Sequence, residues 1–231
     1  MNGSTGSAPT ALVTGSSAGI GAAIAQRLAR DGWSVIGVDI SGQSETPHLS
    51  QQIVADLADA NQVRDVAARV GKVQALVHAA GFMRVGGLAE LDIADAEAMW
   101  AVHVRALTVL AQELYPRMSV GGRILAIGSR TSAGAAQRSQ YAAVKAAVTA
   151  LVRSWAIELA PRGITVNVIA PAATATAMLG STERKAVAPL LPPIGRFIEP
   201  REIAAYAAFI LSPDAAAITG QRLVICGGAS L

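Results

Sequence analysis

The chain has 231 residues, which fits one domain with ample length for a hydrophobic core. Charged residues make up only 15% and hydrophobic residues 52%, which indicates a compact globular protein that buries surface between subunits as a homo-oligomer. The net charge is +3, but the arginines are scattered and aromatic residues reach only 4%, so the composition argues against a nucleic-acid-binding surface.

Cysteine content and hydropathy bear on the cellular setting. Cys226 is the only cysteine, so neither an intrachain disulfide nor a cysteine-based metal site can form. Residues 1–7 are small and polar and lack the basic start and apolar core of a signal peptide, and no apolar run reaches the roughly 18 residues of a membrane span. We therefore expect a cytoplasmic protein with no membrane partner and no metal, and a flexible tail over residues 1–9.

A glycine-rich turn follows the first predicted strand, residues 11–14. Gly15, Gly19 and Gly21 lead from this strand into an amphipathic helix that runs to about residue 30. Glycines at such a junction let the backbone approach a diphosphate, whose charge meets free N–H groups at the helix start. The spacing Gly-x-x-x-Gly-x-Gly differs from the Gly-x-Gly-x-x-Gly fingerprint, so a plain tight connection remains the alternative to a dinucleotide loop.

Acidic residues end the next two predicted strands, residues 34–38 and 53–55. Asp39 lies where a carboxylate can accept hydrogen bonds from an adenosine ribose. No Arg or Lys lies in the glycine loop or directly after Asp39 to pair with a 2′-phosphate, so the sequence favours NAD over NADP. Asp56 could reach an adenine amino group, or cap the helix predicted over residues 59–70.

The remaining pattern alternates strands with helices. Further strands are predicted at residues 74–77, 124–127, 164–169 and 222–226, and a long helix at 95–118 is interrupted near Pro116. The segment of about 172–198 lacks periodicity and is expected to be a substrate loop. This alternation predicts a single α/β domain over residues 10–231, with a doubly wound, seven-stranded parallel sheet and ligands beyond the carboxyl ends of the strands.

A tyrosine and a lysine four residues apart open the central helix, predicted from about residue 140 to 159. Residues at this spacing share a helix face, so the Lys145 ammonium is expected beside the Tyr141 phenol. A unit charge at roughly 4 Å, at an effective dielectric of about 20, is worth about 4 kcal/mol and favours the phenolate by about three pKa units. Tyr141 would then exchange protons near neutral pH. Taken alone, the pair could equally be a surface lysine beside a half-buried tyrosine.

Together these residues resemble the short-chain dehydrogenase/reductase family, and the similarity extends from Thr10 to Leu231. The matching motifs are Thr14-Gly-x-x-x-Gly-Ile-Gly21, Asp39, Asp56, Ala80-Gly81, Ser129, Tyr141-x-x-x-Lys145, Pro171 with Thr176, and Ile218-Thr-Gly-Gln221 followed by Gly227-Gly228. The resemblance implies a Rossmann-type sheet, hydride transfer between a nicotinamide and a secondary alcohol or ketone, and a homotetramer or homodimer.

The resemblance also implies residue roles. Tyr141 is the general acid/base, Ser129 holds the substrate oxygen, and Lys145 lowers the Tyr141 pKa and holds the nicotinamide ribose. The residues expected to bind the cofactor are Gly15, Ser17, Gly19, Ile20, Gly21, Asp39, Asp56, Leu57, Ala79, Ala80, Gly81, Tyr141, Lys145, Pro171, Thr174 and Thr176.

Two departures from the family pattern concern histidines. The usual Asn-Asn-Ala-Gly is here His78-Ala79-Ala80-Gly81, and the asparagine expected on the long helix is His103. In relatives that asparagine anchors a proton-relay water, so we expect His103 to be catalytic, holding such a water or carrying the proton itself. The alternative is a packed core histidine with a backbone partner.

Three arginines, Arg84, Arg130 and Arg138, fall in segments that flank the substrate pocket in the family. Because arginine is the preferred partner of carboxylates and phosphates, they predict an anionic or polyhydroxylated substrate. Ordinary surface solvation is the alternative for each. Other functions also remain open: an NADP-dependent 3-oxoacyl-type ketoreductase, a non-catalytic NAD-binding regulator on the same fold, and an isomerase or lyase that uses NAD transiently.

Overall fold

The computed structural model describes residues 8–42, 49–180 and 189–231. Most of the predicted tail over residues 1–9 and the middle of the predicted substrate loop over about 172–198 therefore lie outside the described residues. Residues 8 and 9 are exposed and lead directly into the first strand.

The strands form one parallel sheet of seven, in the order β3-β2-β1-β4-β5-β6-β7. Their bounds are β1 Thr10–Thr14, β2 Ser34–Asp39, β3 Gln51–Val54, β4 Ala75–His78, β5 Arg123–Ile127, β6 Thr165–Pro171 and β7 Arg222–Ile225. The central strands β4, β5 and β6 are buried at every residue, while the edge strands β3 and β7 are partly exposed. Continuous apolar runs are what a parallel sheet covered on both faces requires, so the predicted fold class is confirmed.

Helices cover both faces of the sheet. Their bounds are α1 Gly19–Arg30, α2 Ala60–Arg69, α3 Ile93–Trp100, α4 Ala106–Leu114, α5 Ser139–Leu159 and α6 Pro200–Leu211. The apolar faces of α2, α4 and α5 pack with one side of the sheet, and those of α1 and α6 pack with the other. The two resulting cores fix the sheet between layers and leave its carboxyl edge as the place where loops converge.

The long helix predicted over residues 95–118 is interrupted earlier than expected. Between α3 and α4, residues Ala101–Arg105 form a π-helical turn, and a 3₁₀ turn at Tyr115–Arg117 contains Pro116. His103 lies inside the π turn. Such turns widen the helix locally and often occur at functional sites, and this one brings His103 against the loop that follows β4.

One capping assignment also differs from the sequence interpretation. Asp59, not Asp56, is the N-cap of α2, and its side chain accepts a hydrogen bond from the Asn61 N–H at 2.8 Å. Asp56 lies beyond the end of β3 and accepts from the Ala58 N–H at 2.8 Å, in a turn of its own. Asp56 therefore remains at the carboxyl edge, separate from the helix start.

The chain reverses its direction of travel across the sheet between β1 and β4. From β1 it builds β2 and β3 to one side, and from β4 onward it builds the other side. Loops after β1 and β4 consequently separate, and a crevice opens at the carboxyl ends of these adjacent strands. Ligands of doubly wound sheets bind at this position, which is where the predicted site residues gather.

Candidate active site

Two clefts of about 350 and 460 Å³ lie side by side along the carboxyl edge of the sheet. The smaller one, here the catalytic cleft, contains Ser129, Tyr141 and Lys145. The larger one, here the nucleotide cleft, contains the glycine loop, Asp39 and Asp56. They share the residues Ile20, Ala79, Gly81, Thr176 and Met178, so the two form one continuous groove.

The glycine loop is packed too tightly for side chains. Gly15 has a φ of +69°, and a Cβ placed on it would lie 2.8 Å from the Ala80 backbone. A Cβ on Gly21 would lie 2.0 Å from the Gly15 carbonyl oxygen. The loop and the start of α1 therefore present bare backbone to the nucleotide cleft. Because the N-cap residue Ala18 has no side-chain acceptor, the first N–H groups of α1 are available to an anion.

Asp39 is held in place at the end of β2 by two backbone amides. Its Oδ2 accepts from the Ser17 N–H and its Oδ1 from the Ser41 N–H, both at 3.0 Å. The sequence interpretation assigned Ser17 to cofactor binding. Ser17 is buried, is not among the residues that line either cleft, and uses its amide on Asp39, so the structure gives it the role of orienting that carboxylate.

Every other residue predicted to bind the cofactor lines the groove. The nucleotide cleft contains Gly15, Gly19, Ile20, Gly21, Asp39, Asp56, Leu57, Ala79, Ala80, Gly81 and Thr176. The catalytic cleft contains Tyr141, Lys145, Pro171 and Thr174, together with Ile20, Ala79, Gly81 and Thr176. These residues come from the ends of β1, β2, β3, β4 and β6 and from the first turns of α5, which explains why they are scattered along the sequence and close together in space.

Tyr141 and Lys145 occupy the first turns of α5 and face the same cleft as Ser129. The Lys145 Nζ lies 5.7 Å from the centroid of the Tyr141 ring and donates a hydrogen bond to the Ile127 carbonyl oxygen at 2.6 Å. Ser129, two residues after the end of β5, accepts from the Thr131 N–H at 3.2 Å, and its hydroxyl lies 2.8 Å from the Thr131 hydroxyl. The arrangement places two hydroxyl groups and one amine around one space.

Burial changes the charge expected on Lys145. Its side chain is 5% exposed, and the cost of desolvating the ammonium lowers the pKa of Lys145 from 10.5 to about 7. The sequence argument treated this group as a full cation. In the protein without ligands, neutral and charged forms of Lys145 coexist near pH 7. The amine therefore stabilises a Tyr141 phenolate less than the sequence argument assumed.

His78 ties three elements together beneath the site. The Thr14 hydroxyl lies 3.0 Å from its Nδ1, and its Nε2 lies 3.0 Å from the Val102 carbonyl oxygen. The Thr14 hydroxyl also accepts from the N–H groups of Ala79 and Ala80, each at 3.2 Å. Because the Thr14 hydroxyl accepts two hydrogen bonds, it donates its own proton to the His78 Nδ1. His78 then carries its proton on Nε2, which donates to the Val102 carbonyl oxygen. Burial, aided by the charge of Lys145, lowers the pKa of His78 to about 3.

His103 lines the catalytic cleft, as expected of a catalytic histidine, and also has a backbone partner, as expected of a packed core histidine. Its Nε2 lies 2.8 Å from the Phe82 carbonyl oxygen and 3.2 Å from the Phe82 amide nitrogen, and its ring meets Tyr141 edge-on at 5.9 Å between centroids. The shorter contact favours an Nε2 proton, and then Nδ1 is a buried acceptor without a protein partner among the described residues. Burial holds the pKa of His103 well below its usual value, so the ring is neutral.

The structure separates the three predicted substrate arginines. Arg130 and Arg138 line the catalytic cleft. Arg84 lines neither cleft: its Nε lies 3.3 Å from the Asp95 carboxylate, and its guanidinium lies 4.9 Å from the centroid of the Phe82 ring. We therefore leave Arg84 out of the substrate site.

Several residues that line the catalytic cleft were not predicted from the sequence. They are mostly apolar and include Met83, Met178, Leu179, Leu190, Leu191, Ala229 and Leu231. Apolar residues in irregular segments have no pattern that distinguishes lining from packing. For the last residues of the chain, the pair Gly227-Gly228 after β7 is a sequence signal of a turn, and this turn leads Ala229 and Leu231 to the cleft.

Metal clusters and membrane-spanning helices are both absent from the described ranges 8–42, 49–180 and 189–231. No group of three or more His, Cys, Asp or Glu side chains is placed to hold a metal ion there. No helix in these ranges combines the length and the hydropathy needed to cross a membrane.

Comparison with known proteins decides the family. Residues 15–230 match the family model described as Enoyl-(Acyl carrier protein) reductase. A curated relative from Thauera aromatica, (2S)-[(R)-hydroxy(phenyl)methyl]succinyl-CoA dehydrogenase subunit BbsD, is 34% identical and aligns over 96% of both chains. The chain belongs to the short-chain dehydrogenase/reductase family.

Further members of the family support the same assignment. D-threitol dehydrogenase from Mycolicibacterium smegmatis is 34% identical over 94% of this chain and 91% of the relative. A solved short-chain dehydrogenase from Burkholderia cenocepacia in complex with NADP is 35% identical, with a TM-score of 0.86 over 96% of this chain and 98% of that one. The expected family and fold are thereby confirmed, and this short-chain dehydrogenase/reductase is an oxidoreductase.

Proposed function

We propose that this short-chain dehydrogenase/reductase interconverts a secondary alcohol and its ketone, with Tyr141 as general acid/base and Ser129 as the hydrogen-bonding partner of the substrate oxygen. One observation carries the proposal. Ser129, Tyr141 and Lys145 face one cleft, and that cleft continues into a groove made from the glycine loop. A proton-exchanging group therefore lies at the end of a site shaped for a dinucleotide.

The groove fits a nicotinamide dinucleotide. Its glycine loop leaves no room for a Cβ at Gly15 or Gly21, and the start of α1 offers N–H groups to a diphosphate. When bound, the nicotinamide would supply the carbon that gives or takes hydride. Lys145 would hold the nicotinamide ribose from its anchor on the Ile127 carbonyl, and Pro171, Thr174 and Thr176 would line the nicotinamide end.

The proposed cofactor is NAD rather than NADP. Both oxygens of Asp39 are fixed by backbone amides, which keeps a negative charge where a 2′-phosphate would have to sit. The sequence contains no Lys or Arg between Arg30 and Arg64 that could offset this charge. The Burkholderia relative was solved with NADP, so the NAD assignment rests on these residues alone.

Proton transfer is proposed to run through Tyr141 toward the interior of the protein. Tyr141 would exchange a proton with the substrate oxygen, while Lys145, when protonated, stabilises the phenolate. His103 is the proposed relay residue, because it lines the cleft and its buried Nδ1 has no hydrogen-bond partner in the described protein. A neutral imidazole in that place can accept a hydrogen bond from a water molecule.

The substrate is proposed to be a small anionic or polyhydroxylated alcohol or ketone. Arg130 and Arg138 support this because both line the catalytic cleft. Part of the proposed substrate loop, residues 172–198, lines the cleft. The lining residues include Ala172 to Thr174, Met178, Leu179 and residues 189–191 and 193. Apolar loop side chains would exclude water from the reacting atoms.

A second candidate is an NADP-dependent 3-oxoacyl-type ketoreductase. It is favoured by the acyl carrier protein in the matched family's description and by the NADP complex of the Burkholderia relative. The same three side chains would act, but the substrate would be a thioester and the cofactor NADPH. Cofactor preference and thioester use therefore distinguish the candidates.

We also propose a homotetramer or homodimer in the cytoplasm. Large apolar side chains are exposed on several helices, including Trp100 on α3, Ile157 on α5 and Phe209 on α6, and burial between subunits would remove them from water. Sedimentation of the purified protein checks the assembly state.

The test of function uses secondary alcohols and ketones with NAD(H) and NADP(H), followed at 340 nm, with 3-oxoacyl thioesters as a separate arm. We expect turnover of alcohols or ketones with NAD(H). Tyr141→Phe should lower kcat/KM by about 10²- to 10⁴-fold, since it removes only the acid/base hydroxyl. Tyr115→Phe is the matched control, because Tyr115 lies at the protein surface under Arg162.

Three outcomes would contradict the proposal. Cofactor binding without turnover of any substrate would favour a non-catalytic regulator. Conversion of substrate with no net change at 340 nm would favour an isomerase or lyase. Full activity of Tyr141→Phe would remove Tyr141 from the chemistry.

A further inference from the structure

The catalytic cleft has an unbalanced positive lining. Arg130 and Arg138 contribute to it, as does Lys145 when protonated, while the His103 ring in the same lining is neutral. Among the described residues no Asp or Glu lines this cleft, and neither arginine side chain has an acidic partner within 4 Å. Guanidinium groups are charged at all physiological pH values, so the cleft attracts anions permanently.

Arg138 is held in an unfavourable place by the fold. It is the N-cap of α5, where the helix dipole repels a cation, and its Nε is buried without a hydrogen-bond partner in the described chain. The preceding residue, Gln137, has a φ of +59°, which side-chain-bearing residues rarely adopt. The Gln137 carbonyl oxygen accepts from the Gly86 N–H at 3.0 Å, which fixes this strained turn against the loop after β4.

Arg130 is fixed just as firmly on the other side. It follows Ser129 and begins the 3₁₀ turn Arg130–Ala133. Arg222, on β7, donates from Nη2 to the Arg130 carbonyl oxygen and from Nε to the Ser132 hydroxyl, both at 3.1 Å. Arg222 thereby holds in place the turn from which Arg130 lines the catalytic cleft.

Arg130 and Arg138 line the same cleft, so their positive charges repel each other. Burial, followed by the positive charge of Arg130, lowers the pKa of Arg138. Two like charges without an acidic partner among the described residues carry an electrostatic cost, and a bound anion would remove it. Arginine is well suited to that role, because its planar donors match the oxygens of a carboxylate or a phosphate.

We propose that Arg130 and Arg138 together bind an acidic group of the substrate, a carboxylate or a phosphate ester, while its reacting oxygen lies between Ser129 and Tyr141. The enzyme then acts on a small oxo acid or hydroxy acid, or on a phosphorylated ketone or alcohol. The inference rests on the proposed function for the position of the reacting oxygen. It narrows the substrate class from anionic or polyhydroxylated to acidic.

The cofactor's own phosphates do not account for the pair. A diphosphate is expected at the glycine loop and the start of α1, which line the nucleotide cleft. Arg130 and Arg138 line only the catalytic cleft, beside Ser129 and Tyr141. The anion that they bind therefore belongs to the second substrate.

The test compares acids with their neutral analogues. The 2-, 3- and 4-oxo acids of three to six carbons are each assayed beside their methyl esters, and dihydroxyacetone phosphate beside dihydroxyacetone, with NADH and NADPH at 340 nm. Isothermal titration of the same compounds into the protein, with cofactor present, reports binding without turnover. The acid and phosphate arms distinguish the two possible anionic groups.

We expect an acid to be used at least about tenfold better, in kcat/KM, than its neutral analogue, which is the range for a hydrogen-bonded charged group. Arg138→Gln and Arg130→Gln should each lower kcat/KM for the acid by about 10- to 100-fold, and should lower it far less for the neutral analogue, so that the preference for the acid is lost. Arg138→Lys should recover part of the loss. Arg153→Gln is the matched control, since Arg153 is an exposed residue of α5.

The outcomes separate this inference from the proposed function. Neutral analogues used as well as the acids, or variants that lower both equally, would overturn the arginine pair while leaving the oxidoreductase role intact. Acids that bind, lose binding in Arg138→Gln and are never turned over would support the pair and contradict the proposed reaction. Neither binding nor turnover of any acid would overturn the pair.

Discussion

Lys145 and Ile127 are joined across the interior by one hydrogen bond, in which Nζ donates to the carbonyl oxygen at 2.6 Å. The bond fastens α5 to the last residue of β5, directly before Gly128 and Ser129. The amine is thus placed by the backbone of the strand that leads to Ser129. Its position depends little on the charge it carries, because a neutral amine also donates.

The buried amine predicts a rise in stability with pH. In the unfolded chain Lys145 keeps its proton up to about pH 10.5, whereas burial lowers its pKa to about 7 in the native protein. Between these values the unfolded state binds more protons, so native stability increases with pH. Relative to Lys145→Met, the wild-type free energy of unfolding should rise by about 2 kcal/mol from pH 7 to pH 9, measured by urea unfolding. Parallel pH profiles for the two proteins would contradict this.

His78 predicts a loss of native stability at acidic pH. The native pKa is lowered to about 3 by burial, whereas the unfolded histidine takes up a proton near pH 6.5. As the pH falls below 6.5, His78 binds a proton in the unfolded state but stays neutral in the native state, so the free energy of unfolding decreases. His78→Asn removes this proton and should reduce the loss between pH 7.5 and 5.5 by about 1.4 kcal/mol.

The His78 measurement is the difference between two pH values, not the stability at one. Losing the bonds to Thr14 and the Val102 carbonyl should lower stability at both pH values, and that common loss cancels. If wild type and His78→Asn lost equal stability on acidification, His78 would not be the titrating group.

Asp39 should decide the choice between NAD and NADP. Asp39→Ser removes the negative charge that faces the proposed ribose and frees the amides of Ser17 and Ser41. We expect the ratio of kcat/KM for NAD to that for NADP to fall by at least about tenfold, since one charged contact is worth that much. Asp65→Ser, at an exposed position of α2, is the control and should leave the ratio unchanged. A wild-type preference for NADP would contradict the assignment.

Gly21 should be irreplaceable in the glycine loop. An alanine there would place its Cβ 2.0 Å from the Gly15 carbonyl oxygen, so the loop or α1 must move. Such overpacking costs about 1–3 kcal/mol of stability, and we expect at least about tenfold weaker NADH binding in a fluorescence titration. Gly71→Ala is the control, because a Cβ placed on Gly71 would meet no heavy atom of a neighbouring residue within 4 Å. Unchanged NADH affinity in Gly21→Ala would show that the loop does not hold the cofactor.

Much of the fold could be predicted because buried parallel strands have a clear sequence pattern. Continuous apolar runs between helical segments indicate all seven strands to within about two residues, and the carboxyl ends of parallel strands meet at one edge. The sequence therefore predicts that Gly15, Asp39, Gly81, Ser129 and Pro171 lie together. Local pattern and topology are sufficient for that result.

What could not be predicted depends on contacts between distant residues. Thr14 and His78 are 64 positions apart, and nothing local to either residue indicates their bond. The π turn at Ala101–Arg105 changes the helical register over five residues, too few to alter the apolar pattern. The pairing of Arg84 with Asp95, and the depth that lowers the Lys145 pKa, likewise appear only when side chains are placed.

The contact between Gly81 and His103 restricts how this enzyme can be altered. A Cβ at position 81 would lie 2.0 Å from the His103 Cε1, so the imidazole fits only opposite a bare backbone. A larger residue at 81 calls for a slimmer one at 103, so a change at 81 must be accompanied by a change at 103. A library that randomises them jointly should therefore yield active combinations that neither single-site library can contain.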